Sequence, residues 1–153
     1  MMAYGQTIHS PKGFAVTVPP GWQSKQDFMG APVVIFAKPV DHFAANLNVV
    51  VVNKAPGDAV EKIPQMQKSM YPRMFTNYHF VGGHFATLGG HKSYESTATH
   101  ETGTPSRKLR MQQDITIIGD KAYTVTCTAP DATFRQYASA FNAMIKSIKF
   151  TAK

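Results

Sequence analysis

The chain has a single cysteine among 153 residues. Cys127 therefore has no partner for an intramolecular disulfide, and zinc or redox motifs built from several cysteines are excluded. Acidic residues are also scarce. Nine Asp and Glu face sixteen Lys and Arg, a net charge of +7 that six histidines would raise further in acid. No apolar run comes near the roughly 18 residues of a membrane-spanning helix. The opening MMAYGQTIHSPKG carries no apolar segment, so no signal peptide is read in the chain as it stands. On that reading the protein is cytoplasmic; a leader removed upstream would place it in the periplasm or envelope. Internal repeats and low-complexity tracts are missing too. So are G-x-S-x-G, the phosphate loop G-x-x-x-x-G-K-S/T and the dinucleotide G-x-G-x-x-G. Hydrolysis by a serine nucleophile and nucleotide chemistry thus lack their usual scaffolds.

Hydrophobic residues make up 43% of the chain and charged residues 16%, a composition that folds. Length and composition describe one domain over residues 1–153, large enough to bury a core without a metal or disulfide. Pro and Gly fall between short patterned runs, the mark of antiparallel strands joined by tight turns. Residues 5–10 and Phe14–Val18 read as the first strands, closed by Pro19-Pro20-Gly21 before Trp22. Pro32–Lys38 is another. Asn46–Lys54 holds four consecutive valines, which predicts a strand covered on both faces. If that strand lies unprotected at an edge, it can pair with a second copy in a homodimer.

The second half is a run of hairpins. Tyr78–Leu88 and His91–His100 flank Gly89-Gly90; Arg107–Ile118 and Lys121–Ala129 flank Gly119-Asp120. Both dipeptides are two-residue turn signals. Two helices complete the reading. In the first, Asp58 and Glu61 suggest a capping box, Val60, Ile63, Met66, Met70 and Met74 recur at helical spacing, and Pro72 marks the end. Pro64 places the helix start nearby or kinks it. In the second, Asp131 is the expected N-cap, and Phe134, Tyr137, Ala138, Phe141, Ile145 and Ile148 form the apolar face. The fold class expected is α+β, a central antiparallel sheet with helices on both faces.

Several segments then resemble a known family. They are Phe14-Ala15-Val16-Thr17-Val18-Pro19-Pro20-Gly21-Trp22, the strand Asn48-Val49-Val50-Val51, Gly89-Gly90-His91, and Ala122–Ala129 followed by the Phe134…Phe141…Phe150 helix and tail. In this order, over residues 14–150, the chain resembles the PsbP-like family. That family includes the Ran-binding Mog proteins, the bacterial DcrB-like proteins and the Eag-type adaptors of type VI secretion. The resemblance implies an α/β/α sandwich that binds a macromolecular partner, catalyses nothing and needs no cofactor. An envelope-associated role is the first expectation. A cytoplasmic adaptor holding an apolar client segment is the alternative, and a metal- or small-ligand-binding protein the third. The family pattern brings no catalytic residues with it.

The residues suggest three further places to look. Met66, Met70 and Met74 form a stripe that can hold an apolar client or pack as core. Lys108 and Arg110 share one strand face and can meet an acidic partner; basic residues interleaved with aromatics are not evident, so nucleic acid is not expected. A two-residue turn at Gly89-Gly90 puts His84 opposite Glu95 and His79 opposite His100, where two imidazoles can share a cation. A bulge at Gly82-Gly83 would break that register, and plain sheet histidines are the preferred reading. Cys127, on a strand face with Tyr123, Val125 and Ala129, is expected to be a buried, inert thiol.

Overall fold

The computed structural model describes residues 5–151, so the first four residues of the opening segment lie outside it. In chain order the elements are β1 (Gln6–Ser10), β2 (Phe14–Val18), β3 (Gln23–Phe28), β4 (Ala31–Phe36), β5 (Asn46–Asn53), α1 (Ile63–Met74) and β6 (Thr76–Leu88). There follow β7 (His91–Thr102), β8 (Arg107–Ile118), β9 (Lys121–Pro130), α2 (Phe134–Ser147) and β10 (Lys149–Phe150). Seven strands form one antiparallel sheet in the order β3-β4-β5-β9-β8-β7-β6, and β1-β2-β10 form a second. The fold is an α+β sandwich. One central sheet was expected; the opening strands instead split off, because the tail β10 pairs with β2.

Side chains alternate across the large sheet and sort the layers. Val33, Ile35, Leu47, Val49, Tyr123, Val125 and Cys127 point to one face, where they pack with Phe141 and Met144 of α2 and with Phe14 and Val16 of the small sheet. On the opposite face lie Tyr94, Ala98, Met111 and Ile115, covered by Ile63, Met66 and Tyr71 of α1. The helices thus flank opposite faces, as expected. Met144 is a core residue of α2 that the apolar spacing had passed over.

The turns set the registers. Gly89 and Gly90 both have positive φ, the geometry of a primed hairpin turn, and Leu88 pairs with His91. Ile118 pairs with Lys121 across Gly119-Asp120. Three local expectations are corrected. Asp58 and Asp131 do not cap helices: Asp58 Oδ2 accepts from the Ala55 N–H at 3.0 Å, and Asp131 accepts from Arg110. α1 begins with Pro64 in its first turn but runs through Pro72 to Met74. Its last turn is held by Tyr71, which is buried against Ala98 and Met111 and stacks edge-on with Phe75 and Tyr78.

The valine strand departs most from expectation. β5 is an interior strand, paired with β9 along its whole length and with β4 over Asn46–Val49, so it is not the edge strand that the homodimer pairing required. It is not covered on both faces either. Leu47 and Val49 are buried, while Val50 is half-buried and Val52 exposed, because α1 lies over the β7–β8 half of that face. One six-residue strand, β3, went unpredicted. Its sequence QSKQDF has Phe28 as its single apolar residue and shows no alternation.

Candidate functional site

A groove of about 530 Å³ runs between α1 and the edge strand β6. Pro64, Gln67, Lys68 and Pro72 of α1 form one wall; Tyr78 and Phe80 of β6 and Tyr94 of β7 form the other. The volume suits a small ligand or one large side chain, and the lining is mostly apolar. Each side chain has a local reason to be there. Ile63, Gln67 and Tyr71 recur at i, i+4, i+8 as the buried stripe of α1. Pro64, Lys68 and Pro72 follow each by one residue, and so flank that stripe on the β6 side. On β6, the bulge between Phe80 and Gly82 resets the alternation. Gly83 then makes room for the opposite wall: a Cβ there would lie 2.1 Å from Tyr94 Oη. Burial pushes the Tyr94 and Tyr78 phenols above the ordinary tyrosine range. Both stay neutral and can donate.

The floor holds an unfinished hydrogen-bond network. Tyr71 Oη donates to Gln113 Oε1 at 2.8 Å, Gln67 Nε2 reaches the same oxygen at 3.4 Å, and Gln113 Nε2 donates to Thr126 Oγ1 at 3.0 Å. Gln67 Oε1 is left without a partner, on a residue only 2% exposed. A buried acceptor left unmade costs about 1–3 kcal/mol. Beyond the groove, β6 is the last strand of its sheet. Phe80 and Phe85 stand 54% and 46% exposed, with Val81 beside them. The Lys92 ammonium lies 4.9 Å over the Phe85 ring and pairs with Glu61 at 3.3 Å.

The methionine stripe does not line this groove. Met66 packs between Ile63 and Tyr71 on the far side of α1, while Met70 and Met74 project into solvent. Lys108 and Arg110 share a face as expected but also share a counter-ion: Asp131 lies 3.7 Å from the Lys108 ammonium and 2.8 Å from Arg110 Nε. Lys108 borders a separate cleft with Arg107, Asp131 and Tyr137. His84 does face Glu95. His79 does not face His100: past the bulge it pairs with Thr99, which sends the two imidazoles to opposite faces of the sheet. His100 packs on Phe75 at 4.7 Å, and its burial lowers the imidazole pKa. No group of three or more His, Cys, Asp or Glu able to hold a metal occurs among the described residues.

The sequence reading passed over Gln67 and Asp114. Asp114 is buried in β8 opposite Glu95, and its pKa is pushed up to about 8 by burial and by the Glu95 charge. Cys127 is fully buried, as expected; burial first, then Asp114 and Glu95, hold its thiol well above the ordinary range.

Two layers of helix around an antiparallel sheet, with a groove at one edge, define a fold shared with proteins of the PsbP and Mog type. Over 95% of this chain and 90% of its own length, LpqN of Mycobacterium tuberculosis, involved in cell envelope biogenesis, superposes with TM-score 0.69 at 16% identity. The cyanobacterial PsbP of Synechocystis gives 0.64 at 14% identity, over 98% of this chain and 94% of that one. The Ran-binding Mog protein of Saccharomyces cerevisiae gives 0.63 at 8%, over 98% and 97%. The chain also spans 49% of a longer Bacteroides thetaiotaomicron protein, at TM-score 0.67 and 15% identity. Residues 6–150 match the family model described as the serine/threonine kinase C-terminal domain, and the chain belongs to that family. No curated protein matches its sequence. No helix among the described residues is long and apolar enough to cross a membrane.

Proposed function

We propose that this domain is a non-enzymatic binding module for a protein partner, and that the partner docks at the groove between α1 and β6. The observation that carries the reading is a large apolar groove bordered by an edge strand whose phenylalanines stand in solvent. Exposed apolar patches of this kind mark interaction surfaces. None of the groove-lining side chains is a carboxylate, an imidazole or a thiol, which supports a binding role without catalysis. Asp114 and Cys127, the groups most displaced in pKa, lie on the opposite face of the sheet. Two proteins of the same fold are named for a Ran partner and for cell envelope biogenesis. In a serine/threonine kinase, as the family is described, such a domain would supply recognition while the kinase domain supplies chemistry. An apolar segment of a client, in an envelope setting, fits both the groove and these precedents.

The test is site-specific photo-crosslinking of the full chain in its native cells. A benzophenone amino acid at Phe80 should capture one protein species, and the same probe at exposed Val52 should not. Equal capture at both positions, or none at Phe80, would overturn the reading.

A further inference from the structure

We infer that the partner docks as an extended, acidic strand whose main chain pairs with the free edge of β6. The inference rests on the docking reading above and states the form of the occupant. Leu88 and His91 flank a two-residue primed turn, and so exchange both of their main-chain hydrogen bonds. Bonded and non-bonded pairs alternate outward from such a turn. Ala86 with Ser93 and His84 with Glu95 are therefore bonded as well. Thr87, Phe85 and Gly83 fall between them and aim their N–H and C=O groups away from β7. β6 is the last strand of its sheet, so those groups meet no other strand. A segment laid along residues 83–87 finds a donor and an acceptor at every second residue.

Nothing on this stretch prevents pairing. The thirteen residues of β6 include no Lys, Arg, Asp, Glu or Pro, the residues that usually block an edge. Its bulge lies between Phe80 and Gly82 and leaves the register regular from Gly82 to the turn. A Cβ placed on Gly82 would meet nothing within 4 Å, so approach there is open. Phe80 and Phe85, opposite Ala98 and Tyr94, lie on the α1 face with Gly83 between them. A partner residue opposite Gly83 sets its side chain into that gap at the mouth of the groove. Aromatic side chains fill such gaps across from an edge glycine.

Charge indicates what flanks the aromatic. Lys68 lines the groove and makes no ion pair with another described residue. The Lys92 ammonium lies over Phe85, and the whole chain carries +7. Acidic neighbours on the partner strand complement this border, and basic ones do not. A second copy fits it poorly. Pairing two β6 strands about a two-fold axis would set the Lys68 and Lys92 of both copies along one side of the seam, with no carboxylate on β6 to separate them.

The experiment selects phage-displayed random nonapeptides on the full chain and then measures exchange and binding with the peptide recovered. Recovered peptides should lack proline, alternate apolar with polar residues, and carry an aromatic beside Asp or Glu. The bound peptide should slow amide exchange at Gly83, Phe85 and Thr87. His84 and Ala86, already bonded to β7, should not change. N-methylation of successive peptide amides should weaken binding about 5-fold or more, at every second position only. Thr87→Pro removes an outward N–H that the β6–β7 ladder does not use, so Tm should hold while binding falls. Replacing the peptide's acids by lysine should weaken binding at low salt, by less in Lys68→Gln. Apolar residues at helical spacing, exchange changes confined to other surfaces, or N-methylation losses without a period of two overturn the inference. So does a selection that recovers no peptide. Protection of the same three amides in the free chain, rising with concentration, puts a second copy there and overturns it too. If Thr87→Pro fails to fold, the N-methylation series and the exchange pattern still decide. Their failure while the Phe80 crosslink persists ends strand pairing alone; loss of that crosslink ends the docking reading.

Discussion

The two ends of the seven-stranded sheet are built from different materials. At one end β3 is six residues long and polar but for Phe28, with Asp27 in a left-handed conformation and Pro32 on the strand it pairs with. Short, charged, interrupted edges are how sheets avoid pairing with other chains. At the other end β6 runs thirteen residues and leaves Phe80, Val81 and Phe85 exposed. The interiors differ in the same sense. Behind β3 lie Val33, Ile35, Leu47 and Val49, all apolar and all essentially inaccessible. Behind β6 lie Gln67, Ser93, Ser96, Thr99, His100, Gln113, Asp114 and Thr116, and every unpaired buried side-chain atom found among the described residues belongs to this group. One end is optimised to be closed. The other keeps polar groups and apolar edge together at a cost in stability, which is the usual mark of a surface held for binding.

If that contrast is right, the largest losses come from the apolar end. Leu47→Ala should cost about 2–5 kcal/mol, because β4 and β9 pin the backbone on both sides and the site cannot collapse. Chemical denaturation measures this directly; a loss below about 1 kcal/mol would show that the β3 end is no better packed than the β6 end. The next largest loss is at the groove wall. Gly83→Ala puts a methyl within 2.1 Å of Tyr94 Oη, and overpacking of this sort costs about 1–3 kcal/mol. Since Tyr94 must swing into the groove or tear from Val60, Ile63 and Ile115, the same variant should also lose the Phe80 crosslink. Unaltered stability and an unaltered crosslink would mean that the wall is not shaped as described.

The hairpins toward the β6 end were easier to read in the sequence than the β3 edge, and the reasons are physical. Hairpins announced by Gly89-Gly90 and Gly119-Asp120 carry their register outward from the turn, so β6 to β9 were legible and His84 opposite Glu95 came out correctly. The register held only as far as the bulge, and His79 fell on the wrong side of it. In α1 two stripes share the same spacing: Met66, Met70, Met74 and Ile63, Gln67, Tyr71. Periodicity alone prefers the more apolar set, yet the second is the one buried. The signal available was Tyr71 four residues after Gln67, a polar residue inside a plausible apolar stripe. Asp114 lay in an alternating strand whose neighbour β7 is joined by a loop, so nothing in the sequence placed Glu95 beside it. β3 has no hydrophobic pattern because an edge that must repel partners has none to show.

Asp114 separates the two ends by pH. Its folded pKa of about 8 lies above the 3.8 of the unfolded chain. Between those values the native state holds a proton that the unfolded state has released. The stability it contributes is therefore fully present below about pH 4 and is lost as pH rises through about 8. His100, lowered by burial, acts in the opposite sense, and only below its ordinary 6.5. Scanning from pH 6.5 to 9 isolates the carboxyl: Tm of the wild type should fall, and Tm of Asp114→Asn should stay nearly flat. Parallel curves would mean that burial and the Glu95 charge do not raise the Asp114 carboxyl.

The smallest stability effect is expected where the binding consequence is large. Phe80→Lys exchanges an exposed ring on an edge strand for a charge, so folding should change by no more than about 0.5 kcal/mol. At the same position it removes one wall of the groove and adds a cation beside Lys68. The edge then acquires the charged character that β3 already has. Partner capture by a probe moved to Val81 should fall, at unchanged Tm. The reciprocal change, Lys25→Ile on β3, uncovers the Phe28 and Phe36 rings over which the Lys25 ammonium lies. It should raise self-association without creating any partner capture, since the cleft behind those rings, with Asn46 and Asn48 in its lining, has neither the proline wall nor the tyrosine wall of the α1–β6 groove. If Lys25→Ile gained the partner instead, hydrophobic edge alone would suffice for binding and the Gln67 floor would be incidental to it.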